Sequence, residues 1–183
     1  MRRSFSLGFC SLMLVLLFSA SNLFAATAAQ LLQQSDFTYL GAFKLPGGNF
    51  GSPNGTFDYS SGFVSGNVYN DPVNGKSLFL PGYLSSGYVS TQVSIAQVKI
   101  PLNILNPNTV GIDGLTTGTV IQGFDDPSNG KGSLALTGEG FGTPLVYGGK
   151  LIGTVAVAYD ATCSQTKSAW VGSTNFGQKS QAT

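Results

Sequence analysis

The chain has 183 residues, of which 9% are charged, with a formal net charge of +1 and no histidine. A hydrophobic content of 42% with so little charge excludes intrinsic disorder. The lack of histidine excludes a Ser-His-Asp triad and removes the commonest metal ligand.

The first element in chain order is a leader. Arg2 and Arg3 form a short positive region, Leu12 to Phe18 an apolar centre, and Ser19 to Asn22 a small, polar exit. Ala26-Thr27-Ala28 places small residues at the positions a signal peptidase reads. The pattern predicts a cleavable signal peptide over residues 1–28, cut after Ala28, with Ala25 as the alternative. The apolar run from Leu7 to Phe18 falls short of the roughly 20 residues of a spanning helix. Export is therefore expected, to a secreted, periplasmic or cell-envelope location, with no membrane span after cleavage. Processing removes both arginines and leaves 7 lysines against 8 acids, a formal charge of −1. That argues against nucleic acid as a partner, because phosphate binding rests on clustered positive charge. Cys163 is the cysteine that remains; it cannot close an intramolecular disulfide and reads as a small, partly buried apolar residue.

Residues 29–35 form a connector, and 36–183 a β-rich domain. Phe37 to Phe43 is rich in strand formers and ends at Pro46-Gly47-Gly48. Phe63 to Tyr69 is the next strand candidate. Asp71-Pro72-Val73-Asn74-Gly75-Lys76 is a turn: Pro presets φ, and Asn-Gly is a favoured tight-hairpin pair. Ser77 to Leu80 continues as the return strand. From Tyr88 to Ile100, Val89, Thr91, Val93 and Ile95 alternate with smaller or polar residues, and the apolar phase then moves to Val98 and Ile100. A β-bulge near Gln97 explains the shift. Pro101 to Pro107 leaves the sheet. Thr119 to Phe124, Ser133 to Thr137, Leu145 to Tyr147, Leu151 to Tyr159 and Ser168 to Val171 complete the strand candidates. No ten-residue stretch outside the leader shows a helical period. The fold class is all-β, with antiparallel sheets.

The turn at 71–76 recurs as Asp126-Pro127-Ser128-Asn129-Gly130-Lys131, five of six residues matching. Either two hairpins share turn chemistry, or the chain repeats a small sheet every ~50 residues, near the blade size of β-propellers.

Asp36 to Pro46 reads Asp-Phe-Thr-Tyr-Leu-Gly-Ala-Phe-Lys-Leu-Pro, which resembles the opening strand of a group of uncharacterised exported bacterial β-propeller-like proteins. Ser77 to Tyr83, Ser90 to Pro101, Tyr147 to Ile152 and Tyr159-Asp160 resemble later strands of that group. The resemblance implies architecture rather than activity. It implies an incomplete β-propeller of about three blade-like units, since closure needs at least four; a small β-sandwich is the alternative.

Candidate chemistry is sparse. Tyr83, Tyr88, Tyr147 and Trp170 offer rings for a ligand face, and Glu139 stands alone between glycines. Each has a plainer reading as core, cross-strand pair or solvated turn. On a strand the adjacent acids Asp125 and Asp126 would point to opposite faces and not act as a pair, and Asp126-Pro127 is better read as a turn starter. Asp58 and Asp113 lack the spaced acids of a calcium loop, so no metal site and no cofactor is expected. The expected function is binding or scaffolding, with a glycan or protein partner reached through exposed β-edges. The rival is a fragment of an extracellular polysaccharide hydrolase or lyase using Glu139, Asp125 or Asp160.

Overall fold

The computed structural model describes residues 32–51, 55–58, 66–84, 93–132, 144–154, 163–164, 166 and 168–181. The leader with Ala25 and Ala28, the strand candidate at 133–137 and residues 63–65, 88–92 and 155–159 lie outside them. Residues from Leu40 onward form one compact unit; a short 3-10 turn at Gln34–Asp36 belongs to the preceding one. No helix among the described residues is long and apolar enough to cross a membrane.

The fold is mostly β with antiparallel sheets. The described strands are β1 (Gly55–Thr56), β2 (Tyr69–Asp71), β3 (Gly75–Pro81), β4 (Tyr83–Leu84), β5 (Ile95–Lys99), β6 (Thr119–Asp125), β7 (Leu145–Tyr147), β8 (Lys150–Thr154) and β9 (Ala169–Ser173). They make a two-stranded sheet β1-β4, a four-stranded sheet β2-β3-β5-β6 and a three-stranded sheet β7-β8-β9. The single α-helix among the described residues, α1 (Pro107–Val110), lies in the excursion that begins at Pro101. Asn106 caps it by accepting from Asn108 N, and Pro107 presets its first turn.

Two expectations need correction. The strand predicted over Phe37–Phe43 is not a strand. Ala42 makes an antiparallel bridge to Leu105, and Lys44 a parallel one to Thr117. The segment changes partner and direction within two residues, so no ladder can propagate despite good strand formers. Cys163 is exposed rather than partly buried; it lies outside the described strands, at φ 53.

The first Asp-Pro turn does join a hairpin. Pro72, Val73 and Asn74 form the turn, and Gly75, at φ 80, already pairs with Asp71. Asn74-Gly75 is therefore not the central pair of a two-residue turn. In the second copy Asn129 and Gly130 both have positive φ, at 52 and 77. The near-identical hexapeptides thus take different backbone paths, but the leading aspartate starts each turn in the same way. Asp126 Oδ1 accepts from Ser128 N at 2.9 Å, as Asp71 Oδ1 accepts from Val73 N at 2.9 Å.

The irregularity expected near Gln97 is present. Ile95 pairs with Asp125, Gln97 with Gln122, and Val98 with Val120. Moving two residues along β5 takes three along β6, and the next single step takes two. On its other side β5 pairs with β3 in unbroken register. The extra residues therefore sit on β6, and Gln97 stays on the same face as Ile95.

That face carries the main core. Phe79 and Ile95 from the four-stranded sheet, and Val93 just before β5, pack with Leu151 and Trp170 from the three-stranded sheet and with Phe176. Burial of a side chain such as Phe79 or Leu151 contributes about 1.5–3 kcal/mol. Trp170 fits because its neighbours are glycines: a Cβ on Gly153 would lie 2.2 Å from the Trp170 ring, and one on Gly132 2.6 Å from it. A second cluster forms around Phe124, fully buried and 4.7 Å from Phe57 between ring centroids. Its ring lies against the backbone of the small sheet. A Cβ on Gly55 would approach it to 2.5 Å, and one on Gly82 to 1.9 Å.

One edge of the three-stranded sheet is occupied. Asn67 donates from Nδ2 to Val146 O and accepts at Oδ1 from Val146 N, both at 2.9 Å. The side-chain amide stands where a neighbouring strand's peptide group would stand.

Candidate functional site

The site is built outward from the β2–β3 turn. Asp71 closes β2 and uses Oδ1 to accept from Val73 N, Asn74 N and Asn74 Nδ2 at 2.9, 2.7 and 3.1 Å. That fixes the carboxylate and leaves Oδ2 facing along the sheet, where Gln97 Nε2 donates to it at 3.0 Å. Gln97 is 0% exposed and lies directly across from Phe79, a polar side chain on an apolar face. Such burial is tolerated only with hydrogen bonds. Gln97 Nε2 also donates to Ser77 Oγ at 2.8 Å, and its Oε1 accepts from Gln122 Nε2. Gln122 Nε2 donates to Thr174 O, and Oε1 accepts from Phe176 N, both at 2.8 Å.

Asp71, Gln97 and Gln122 thus form one row across β2, β5 and β6, ending on the segment that follows β9. The doubled irregularity on β6 brings Gln122 opposite Gln97. Phe176 anchors the far end in the core, and Lys179 pairs with Asp125 beside it.

Above the row lies a cleft of about 330 Å³, within the range of small-molecule sites. Gln97 and Gln122 form its floor, Tyr69 and Ile121 its apolar surface, and Asn74 and Asn175 two of its polar walls. Tyr69 is held by packing on Phe79, with ring centroids 5.6 Å apart. Asp71 also borders the cleft. Burial raises its pKa, but the hydrogen bonds from Asn74, Gln97 and Val73 outweigh that and hold it below the usual carboxylate value. Among the described residues no group of three or more His, Cys, Asp or Glu could hold a metal ion.

The residues singled out from sequence do not gather here. Trp170 is 2% exposed, in the core. Tyr147 is 74% exposed at the β7–β8 turn. Pairing of Tyr147 with Lys150, and of Trp170 with Gly153, places the two rings on opposite faces of the three-stranded sheet. Tyr83 pairs with Thr56 in the small sheet. Tyr88, Glu139 and Asp160 lie outside the described residues. Asp125 is engaged by Lys179 and by Asp126 N.

Sequence reasoning treated Asp71 and Asn74 as turn formers and Gln97 as a bulge marker, and passed over Gln122, Thr174 and Asn175. The available signal was a glutamine in the middle of each of two apolar strands, where a buried polar side chain needs a reason. No protein-family model, curated protein or solved structure matches the chain.

Proposed function

We propose that the chain is an exported β-repeat protein with a binding or scaffolding role, acting through the cleft between the β2–β3 turn and Thr174–Asn175. The observation that supports it most is the Asp71–Gln97–Gln122 row. Its polar groups are tied to four strands and the C-terminal segment before any ligand arrives, which lowers the ordering cost of binding. The leader supports export. A four-stranded antiparallel sheet that shares a core with a three-stranded one supports the reading of an incomplete β-propeller.

A polysaccharide hydrolase or lyase needs an acid and a base flanking one bond. Asp71, held below the usual carboxylate range, is a poor proton donor and a weak base near neutral pH. Asp125 is bound to Lys179. Among the described residues the cleft therefore offers no acid–base pair, and the binding reading is the one the Asp71–Gln97–Gln122 row supports.

The test is a screen of the full chain against immobilised glycans and envelope components, with turnover assayed in parallel. Binding without turnover, lost on Gln97→Leu, is expected. Turnover of any polysaccharide, or a screen with no binding, overturns the reading. N-terminal sequencing of the extracytoplasmic protein should begin at Ala29.

A further inference from the structure

The spare hydrogen-bonding capacity of the cleft defines the class of its ligand. Among the described residues, Asp71 Oδ2 and Gln122 Oε1 each accept one bond, and each carries a second lone pair. Asn74 uses one N–H, towards Asp71, and retains the other along with its carbonyl oxygen. Asn175 accepts from Gly177 N at Oδ1 and keeps both Nδ2 hydrogens. The free groups are thus acceptors and neutral amide donors, with an amide close to each acceptor: Asn74 is bonded to Asp71, and Asn175 precedes Phe176, which donates to Gln122. The negative charge of Asp71 is already shared among four N–H donors. Among the described residues no cation lines the cleft to receive an anion. Tyr69 and Ile121 add apolar surface between these groups.

A hydroxyl is both a donor and an acceptor, so it can serve both kinds of group in such a cleft. A pyranose ring presents a rim of hydroxyls and a C–H face, matching both the amides and the Tyr69–Ile121 surface. We infer that the cleft binds one ring of a neutral sugar, with hydroxyls bonded to Asp71 Oδ2, Gln122 Oε1 and the amides of Asn74 and Asn175. The inference rests on the binding reading and gives it a ligand class.

The test is a titration of the ¹⁵N-labelled full chain, following the side-chain amide resonances of Asn74, Gln97, Gln122 and Asn175. The probes are glucose, galactose and N-acetylglucosamine, with glucuronate and inorganic phosphate as charged counterparts. At least one neutral sugar should move the Asn74 and Asn175 signals. Glucuronate should bind more weakly than glucose, because its carboxylate meets Asp71. Asn175→Asp keeps the oxygen that caps Gly177 and removes the donors, so neutral-sugar affinity should fall about tenfold with the spectrum otherwise intact. Shifts with glucuronate or phosphate but not with neutral sugars would overturn the ligand class and leave a binding cleft standing. No shift with any probe would overturn the class and the cleft together. Unchanged affinity in Asn175→Asp would overturn the assigned contacts.

Discussion

At the scale of single residues, Asp71 is both hinge and wall: it shapes the β2–β3 turn and fixes the first amide of the row. Its pKa in the folded chain lies below the unfolded value of 3.8. Its contribution to stability is therefore complete above that value and is lost as pH falls through the lower, folded one. Asp71→Asn should cost more stability near neutral pH than at an acidic pH below the lowered, folded-state pKa, where the wild-type carboxylate is protonated. Urea unfolding of both proteins at the two pH values checks this; a difference that does not shrink in acid contradicts it. Gly82 shows a second residue-scale constraint. Alanine there puts a Cβ 1.9 Å from the Phe124 ring, and the forced shift should cost about 1–3 kcal/mol. Chemical denaturation of Gly82→Ala measures that loss.

At the scale of elements, the Asn67 amide on β7 makes a separate prediction. Asn67→Leu leaves Val146 N–H and C=O open at a sheet edge. Concentration-dependent association should follow, visible by sedimentation velocity. The same scale shows what could be read in advance. Ser77–Leu80 was legible because an Asp-Pro turn precedes it and its apolar residues are consecutive. The irregularity at Gln97 was legible from the break in alternation, although its extra residues lie on β6. The Phe37–Phe43 error has the opposite cause: strand propensity is local, but a ladder needs a partner that keeps its direction. The cleft was not legible. It depends on Gln122 meeting Gln97 across a bulged register and on Thr174 and Phe176 reaching both, pairings that no local pattern encodes.

At the scale of the whole unit, two sheets share one core and cannot lose it separately. Phe79→Ala should cost about 3–5 kcal/mol. It should lower the transition reported by the single tryptophan, Trp170, as much as that reported by far-ultraviolet dichroism. Non-coincident transitions would show that the sheets unfold apart. The bed of bare backbone under Phe124 has a wider consequence. Gly55 and Gly82 trade volume with position 124, so a change at one is compensated by a change at another. Gly82→Ala should be rescued by Phe124→Leu, and distant kin that carry a methyl at 82 should carry a smaller residue at 124. Paired substitution across these positions, more than any apolar run, is the fingerprint by which such kin can be traced.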